Sequence, residues 1–389
     1  MDDIVKPFRI NVPQEQLDDL HARLDRAVLP PALPGDDWTT GVPTWWVREL
    51  ISYWRATYNW RAAEAELNSY PQYVTDINDQ RIHFLHVRSK EADALPLVLT
   101  HGWPGSVVEF LDIIGPLTDP VAHGGDARDA FDLVIPSLPG FGFSSPICHS
   151  GWSKPDIADA WVELMTRLGY DRFGAHGGDI GSGVSPDVGR AAPDRVIGVH
   201  VNGGPGPMPK IPSPPELFAQ LSDSDRRRIR LTQDTFTKGN GGQAYIAIQS
   251  TRPQTPAYGL VDSPVGVLAW IMEKFWEWSY PEELAPENLI SLDRMLTNVM
   301  FYWLTGTAGS AAYVGYAQGL GWDEVKPNSG VPTGAIVFAR DFGVRHYAEL
   351  SNTITHWNDV PDTGGHFAAL EEPALLVADM VEFFRPLRR

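Results

Sequence analysis

The runs LPLVLT (95–100) and FDLVIPSL (131–138) constrain the chain more than any other feature. Both are short, nearly free of charge and lack polar alternation, as strands buried on both faces must be. A helix pattern, ADAWVELMTRLG (158–169), follows the second run. Then come RFGAHGGD (172–179) and a further strand-like stretch, RVIGVHVN (195–202). Strand, turn and helix repeating in this order predict a parallel sheet with helices on both sides.

Other patterns flank and interrupt this frame. From Pro13, Leu17, Leu20, Leu24 and Val28 recur at helical spacing, and Pro30-Pro31 ends the pattern. The aromatic-rich stretch from Pro43 to Trp60 reads as a second, buried helix. YPQYVTDI and RIHFLHVRS, separated by residues 78–80, read as a hairpin. At 203–216 proline and glycine dominate and the alternation stops; helical stretches then run to about residue 320. GAIVFARD and TITHW restore the strand signal, and PALLVADMVEFF closes the chain as an amphipathic helix. The expected units are an N-terminal extension with the first strands (1–90), a core (91–205), an inserted helical cap (206–320) and the rest of the core (321–389).

The 389 residues carry 31 basic against 49 acidic side chains, a net charge of −18. That balance argues against nucleic acid or an anionic membrane as a partner. One cysteine, Cys148, excludes a disulfide framework. The 11 histidines show no metal-binding spacing of the HExxH kind, so neither metal nor cofactor is expected. The first residues show no basic start followed by an apolar run, and no run suits a membrane span. A water-soluble, cytoplasmic protein is expected.

Gly177-Gly178-Asp179-Ile180-Gly181-Ser182 lies after a strand and before a helix. It has the small-x-nucleophile-x-small form of a nucleophile elbow, with Asp where ester hydrolases carry Ser. An ordinary helix cap is the competing explanation. A carboxylate that attacks saturated carbon forms an ester that water can cleave, whereas a serine would form an inert ether. Asp179 therefore points to substitution at sp3 carbon, as in epoxides or haloalkanes. His101-Gly102-Trp103-Pro104-Gly105 follows the strand 95–100, where an oxyanion-hole loop belongs. Pro104 has no N–H, so the donors expected are Trp103 and Ile180. His366, in Gly364-Gly365-His366-Phe367-Ala368-Ala369, follows the last strand in the order nucleophile, acid, histidine. Asp341, ending VFARD, is the acid expected, with Glu349 as the alternative.

HGWPGS, GGDIGS, TRPQTPAYGLVDSPVG, LTNVMFYWLTGT and GGHFAALEEP together resemble the microsomal and juvenile-hormone branch of the epoxide hydrolases. The resemblance covers nearly the whole chain and is greater to the short soluble bacterial members, some of which serve natural-product pathways. It implies the α/β-hydrolase fold with an N-terminal helical extension and an inserted helical cap (lid). It also makes Asp179 the nucleophile, His366 the base and Asp341 its orienting acid. Two cap tyrosines would hydrogen-bond the epoxide oxygen. Tyr245 matches the first; the second falls on Gly315, so Tyr316 is taken, with Tyr313 as the alternative. Ile180 stands where the microsomal enzymes have Trp.

An epoxide substrate and water are the partners implied, with a homodimer as the default assembly. Two other functions compete. A haloalkane dehalogenase also uses an aspartate with a histidine, and a non-catalytic ligand-binding homologue could keep the fold.

Overall fold

In a computed structural model of the chain, residues 4–237, 244–318 and 324–388 are described. Nine strands form one sheet in the order β1-β2-β3-β5-β4-β6-β7-β8-β9. They are β1 (Val5–Phe8), β2 (Gln72–Ile77), β3 (Gln80–Val87), β4 (Leu95–Thr100), β5 (Phe131–Pro136), β6 (Phe173–Gly177), β7 (Val196–Asn202), β8 (Pro332–Val337) and β9 (Thr353–Asp359). Pairings among β1, β2, β3 and β5 are antiparallel; from β5 through β4, β6, β7, β8 and β9 every pairing is parallel. This is the α/β-hydrolase arrangement.

The unalternating runs become the central strands. Leu97, Val98 and Leu99 of β4 and every residue of β5 are buried. The helices Lys154–Arg167 and Ile180–Ala191 cross over between parallel strands. The hairpin forms with Asn78 and Asp79 at φ 51° and 60°, a left-handed pair that turns a two-residue loop. Gln80 belongs to β3 rather than to that loop.

The amino-terminal third departs from expectation at three points. The first helix stops at Asp25, so Leu17, Leu20 and Leu24 are buried while Val28 is 91% exposed. Pro30-Pro31 disfavours helical geometry in the residue before it, so the helix ends short of the proline pair. The aromatic segment is two helices, Thr44–Ala56 and Trp60–Leu67, parted by an Asn59 cap whose side chain accepts from Ala62 N–H. β1 has no apolar alternation and contains Pro7, which a sheet edge tolerates.

Between β7 and β8 the described residues form helices from Pro215 to Thr237 and from Ala244 to Gln318. The expected boundary at 320/321 lies outside the described residues. The N-terminal helices grip this block from outside. Arg294 bonds both carboxylate oxygens of Glu66 at 2.7 Å, and Tyr58 shares a 2.9 Å hydrogen bond with Thr297. Trp38 stacks on Trp276 at 4.3 Å, and Trp46 donates to Glu287.

Candidate active site

All three candidate groups of the core emerge at the carboxyl ends of parallel strands of the sheet, where open α/β sheets place their ligands. Asp179 follows β6, Asp341 follows β8, and His366 follows β9. Asp179 has φ 51° and ψ −119°, a conformation that an L-residue adopts only when its surroundings enforce it. Enforcement comes from close backbone packing. A Cβ on Gly181 would lie 2.0 Å from the Thr100 carbonyl oxygen, and one on Gly102 would lie 2.2 Å from Asp179 Oδ1. Glycine at both positions lets the loop after β4 and the turn after β6 touch.

That contact orients the carboxylate. Trp103 N–H donates to Asp179 Oδ1 at 2.9 Å, and Ile180 N–H also bonds the carboxylate. Asp179 Oδ2 faces His366 Nε2 at 3.4 Å, and His366 Nδ1 lies 3.8 Å from Asp341 Oδ1. The His366 N–H donates to the Trp278 carbonyl at 2.9 Å, which ties its loop to the cap helix Pro264–Trp278.

The ionisation states follow from this geometry. Burial alone would raise the Asp179 pKa; His366, then Trp103 and Ile180, outweigh it and hold the group below its usual value. Burial works the other way on His366, yet Asp179, Asp341 and Glu109 carry its pKa up to about 9. Each group thus favours the charged form of the other, carboxylate beside imidazolium. Burial pushes Asp341 up to about 6, against the pull of His366 and Arg228. Glu109, on the turn after the HGWPGS loop, is raised by burial to about 8.

Tyr245 opens the cap helix Ala244–Thr251 and stacks on Trp103 at 4.9 Å and 15°. Trp278 packs against its ring, and the buried ammonium of Lys274 lies 4.9 Å from its ring centroid. Its phenol is held well above its ordinary pKa by burial first, then by the charges of Asp179 and Glu277. The stack brings Tyr245 over the same loop that holds Asp179.

Tyr316 is not brought to Asp179, and that expectation is corrected here. It lies half exposed on the helix Ala308–Gln318, stacked on Tyr313 at 5.5 Å. Both tyrosines line a groove with Arg252, Tyr258 and Thr307, and Asp179 is not part of that groove. The position facing Tyr245's helix is 315, where a Cβ would meet Gln249 at 3.4 Å. One step along a helix turns a side chain by about 100°, which carries residue 316 to the other face. Glu349, the alternative acid, is exposed and paired with Arg345 at 2.8 Å.

A cavity opens onto Asp179, Ile180, Asp341 and His366 and runs past Gly203 and Pro207. Among the described residues no group of three or more His, Cys, Asp or Glu stands where it could hold a metal ion. None of their helices is long and apolar enough to cross a membrane.

Several buried groups near the site were not legible from motif spacing. Asn298 and Tyr302, on the cap helix Leu292–Thr305, donate to the Pro104 and Gly105 carbonyls, both at 2.7 Å. Both lie inside the quoted LTNVMFYWLTGT motif, so the positions were visible while their partners were not. Glu109 and Lys274 sit on turns and helices whose charged residues are ordinarily solvated, and sequence offered no signal for them.

An α/β-hydrolase core with an aspartate on its elbow, a histidine against that aspartate and a helical cap above defines the class of protein. The comparisons narrow it. Residues 5–110 match the model described as epoxide hydrolase N terminus, and residues 96–252 the alpha/beta hydrolase fold. A protein of Stigmatella aurantiaca (strain DW4/3-1), named among the epoxide hydrolases, is 45% identical over 99% of this chain and 86% of its own length. Epoxide hydrolase 1 of Sus scrofa is 34% identical over 98% of this chain and 89% of its own. The crystal structure of juvenile hormone epoxide hydrolase from the silkworm Bombyx mori superposes with a TM-score of 0.88 at 27% identity, covering 100% of this chain and 95% of that one. The chain belongs to the epoxide hydrolase family.

Proposed function

We propose that this protein hydrolyses an epoxide to a vicinal diol through a covalent ester on Asp179. The observation that carries the proposal is the division of labour between the two carboxylate oxygens. Oδ1 accepts from the Trp103 N–H, and Oδ2 is turned to His366. Oδ2 attacks one ring carbon from the side opposite the C–O bond. That bond breaks, and the ring oxygen takes the Tyr245 hydroxyl proton. General acid assistance of this kind is worth about 10²–10⁴-fold.

Ester formation itself prepares the base. It removes the Asp179 charge, the chief influence holding a proton on His366 against burial. The proton that His366 sheds passes to the Tyr245 phenolate and restores the donor. Neutral His366, oriented by Asp341, then takes a proton from water as the water oxygen attacks the ester carbon. The negative charge develops on Oδ1, already facing Trp103 N–H, with Ile180 N–H beside the same carboxylate; losing one such donor typically costs about 3–4 kcal/mol. The intermediate collapses, the diol oxygen leaves with the proton from His366, and the new acid proton on Asp179 passes to the imidazole. The resting pair is restored, and no cofactor takes part.

The helices of 206–320 serve as the lid over this chemistry. The same reading takes the enzyme to be cytoplasmic, since no sequence run suits a signal or a membrane span, and a homodimer, the commonest assembly; a place in natural-product metabolism is supported by the resemblance to short bacterial members.

The test is a single turnover of styrene oxide in heavy-oxygen water. The first label should enter Asp179, and His366→Gln should accumulate an adduct of one substrate mass. Label found directly in the diol, with no adduct in the variant, would mean that water opens the ring itself.

A further inference from the structure

Arg228, on the cap helix Asp223–Thr237, is only 2% exposed, yet it belongs to no motif and to no step above. Its guanidinium is enclosed by the ends of two catalytic strands. Nη1 donates to the carbonyls of Phe338, Ala339 and Asp341, the last two at 3.1 Å. Nη2 donates to the Val337 carbonyl at 2.8 Å and to Asp359 Oδ1 at 2.6 Å, and Nε donates to Asp359 at 3.2 Å. Asp359 is the last residue of β9, on the strand that leads to His366. The chain from Val337 to Asp341 therefore folds round one cation that reaches down from the cap. Its fixed fork of donors adds to the backbone bonds that the Val337 and Phe338 carbonyls accept from Val360 and Asp341 N–H, and it also binds the carbonyls of Ala339 and Asp341.

The position of Asp341 depends on that turn. Phe338 N–H donates to Asp341 Oδ2 at 3.3 Å, leaving Oδ1 towards His366. The four carbonyls bound by Arg228 span the turn that sets this orientation. Asp179 is held independently, by Trp103 and Ile180, which Arg228 does not touch.

We propose that Arg228 is a positioning residue for the second half-reaction, a cap guanidinium that holds the 337–341 turn so that Asp341 faces His366 Nδ1. The inference rests on the two-step reading above. It assigns Arg228 to ester hydrolysis and not to ester formation.

Rapid-quench measurement with styrene oxide, followed by intact-protein mass, reads both steps. In Arg228→Met, ester formation should stay within about threefold of wild type while ester hydrolysis slows about ten- to a hundredfold, the range for a misplaced catalytic group. Adduct should then accumulate with His366 intact. Arg228→Lys, which keeps the charge without the fork, should recover only part of the loss. In an Asp341→Asn background, Arg228→Met should slow hydrolysis no further. Unchanged hydrolysis, equal slowing of both steps, or full additivity with Asp341→Asn each overturns the inference. Near-ultraviolet dichroism at the assay temperature verifies folding. If the methionine variant does not fold, Arg228→Lys carries the same test, with a selective loss of several-fold expected and equal slowing of both steps refuting it. Failure of the two-step reading is separately visible, since no adduct would then form in wild type or in His366→Gln.

Discussion

The sheet edge and the cap meet at one site but are specified differently. On the sheet edge, position is set by backbone. Asp179 stands where it does because Gly181 and Gly102 let two loops touch, and the carboxylate is bound by main-chain N–H groups. On the cap, position is set by side-chain packing: Tyr245 is placed by a stack on Trp103, with Trp278 and Lys274 around it. A backbone-determined site tolerates almost no change at its glycines, whereas a packed wall can be re-formed by other side chains. The lesson is that the two sides of the site are held in place by different means.

Glycine-to-alanine changes on the two sides give the sharpest contrast. Gly181→Ala drives a methyl to 2.0 Å from the Thr100 carbonyl, against backbone that cannot yield. A loss of about 3 kcal/mol or more is expected, measured by urea denaturation. Gly315→Ala meets Gln249 at 3.4 Å, an ordinary contact inside a helix. It should leave stability unchanged or raise it by up to about 1 kcal/mol. Equal losses in the two would erase the distinction between the walls.

Tyrosine substitutions probe the cap alone. Tyr245→Phe should lower the rate of ester formation by about 10²-fold through loss of the proton donor. Tyr316→Phe, on the far face of its helix, should leave kcat/KM unaltered; a loss comparable to that of Tyr245→Phe would return Tyr316 to the site.

A pH-dependent effect on stability concerns a buried acid beside the site. Glu109 has its folded pKa raised to about 8, while in the unfolded chain it titrates near 4.5. A carboxyl raised in this way costs stability progressively as pH climbs from the unfolded to the folded value, because only the unfolded chain releases its proton freely. Glu109→Gln removes that cost. It should melt with wild type near pH 4.5 and a few degrees above it near pH 8.5. A difference that shrinks with rising pH would contradict the assignment.

The sheet edge was legible in sequence for the same reason that it is rigid. Small residues around Asp179, a loop after β4 and a histidine after β9 have fixed offsets from strands, and strands buried on both faces announce themselves. The cap was legible only as a block of helices. Tyr316 went astray because a one-residue offset turns a helical side chain by about 100°, and nothing in the local pattern fixes which face turns inward. Arg228 is the third of three consecutive arginines, and composition marks such a run as solvated surface. Its burial follows from carbonyls more than a hundred residues away. β1 and the helix Trp60–Leu67 were missed because edge strands and short capped helices carry weak periodicity.

Besides the Tyr245 and Trp278 contacts, the cap holds the loops of the site by side chains from two helices, one near each end of its sequence. Arg228 grasps the turn after β8, while Asn298 and Tyr302 grasp the loop after β4. The segments from Ala244 to Trp278 hang between these anchorages like the handle of a bucket. Evolution can reshape that handle to admit a different epoxide while the rim, with its aspartate and imidazole, stays as it was.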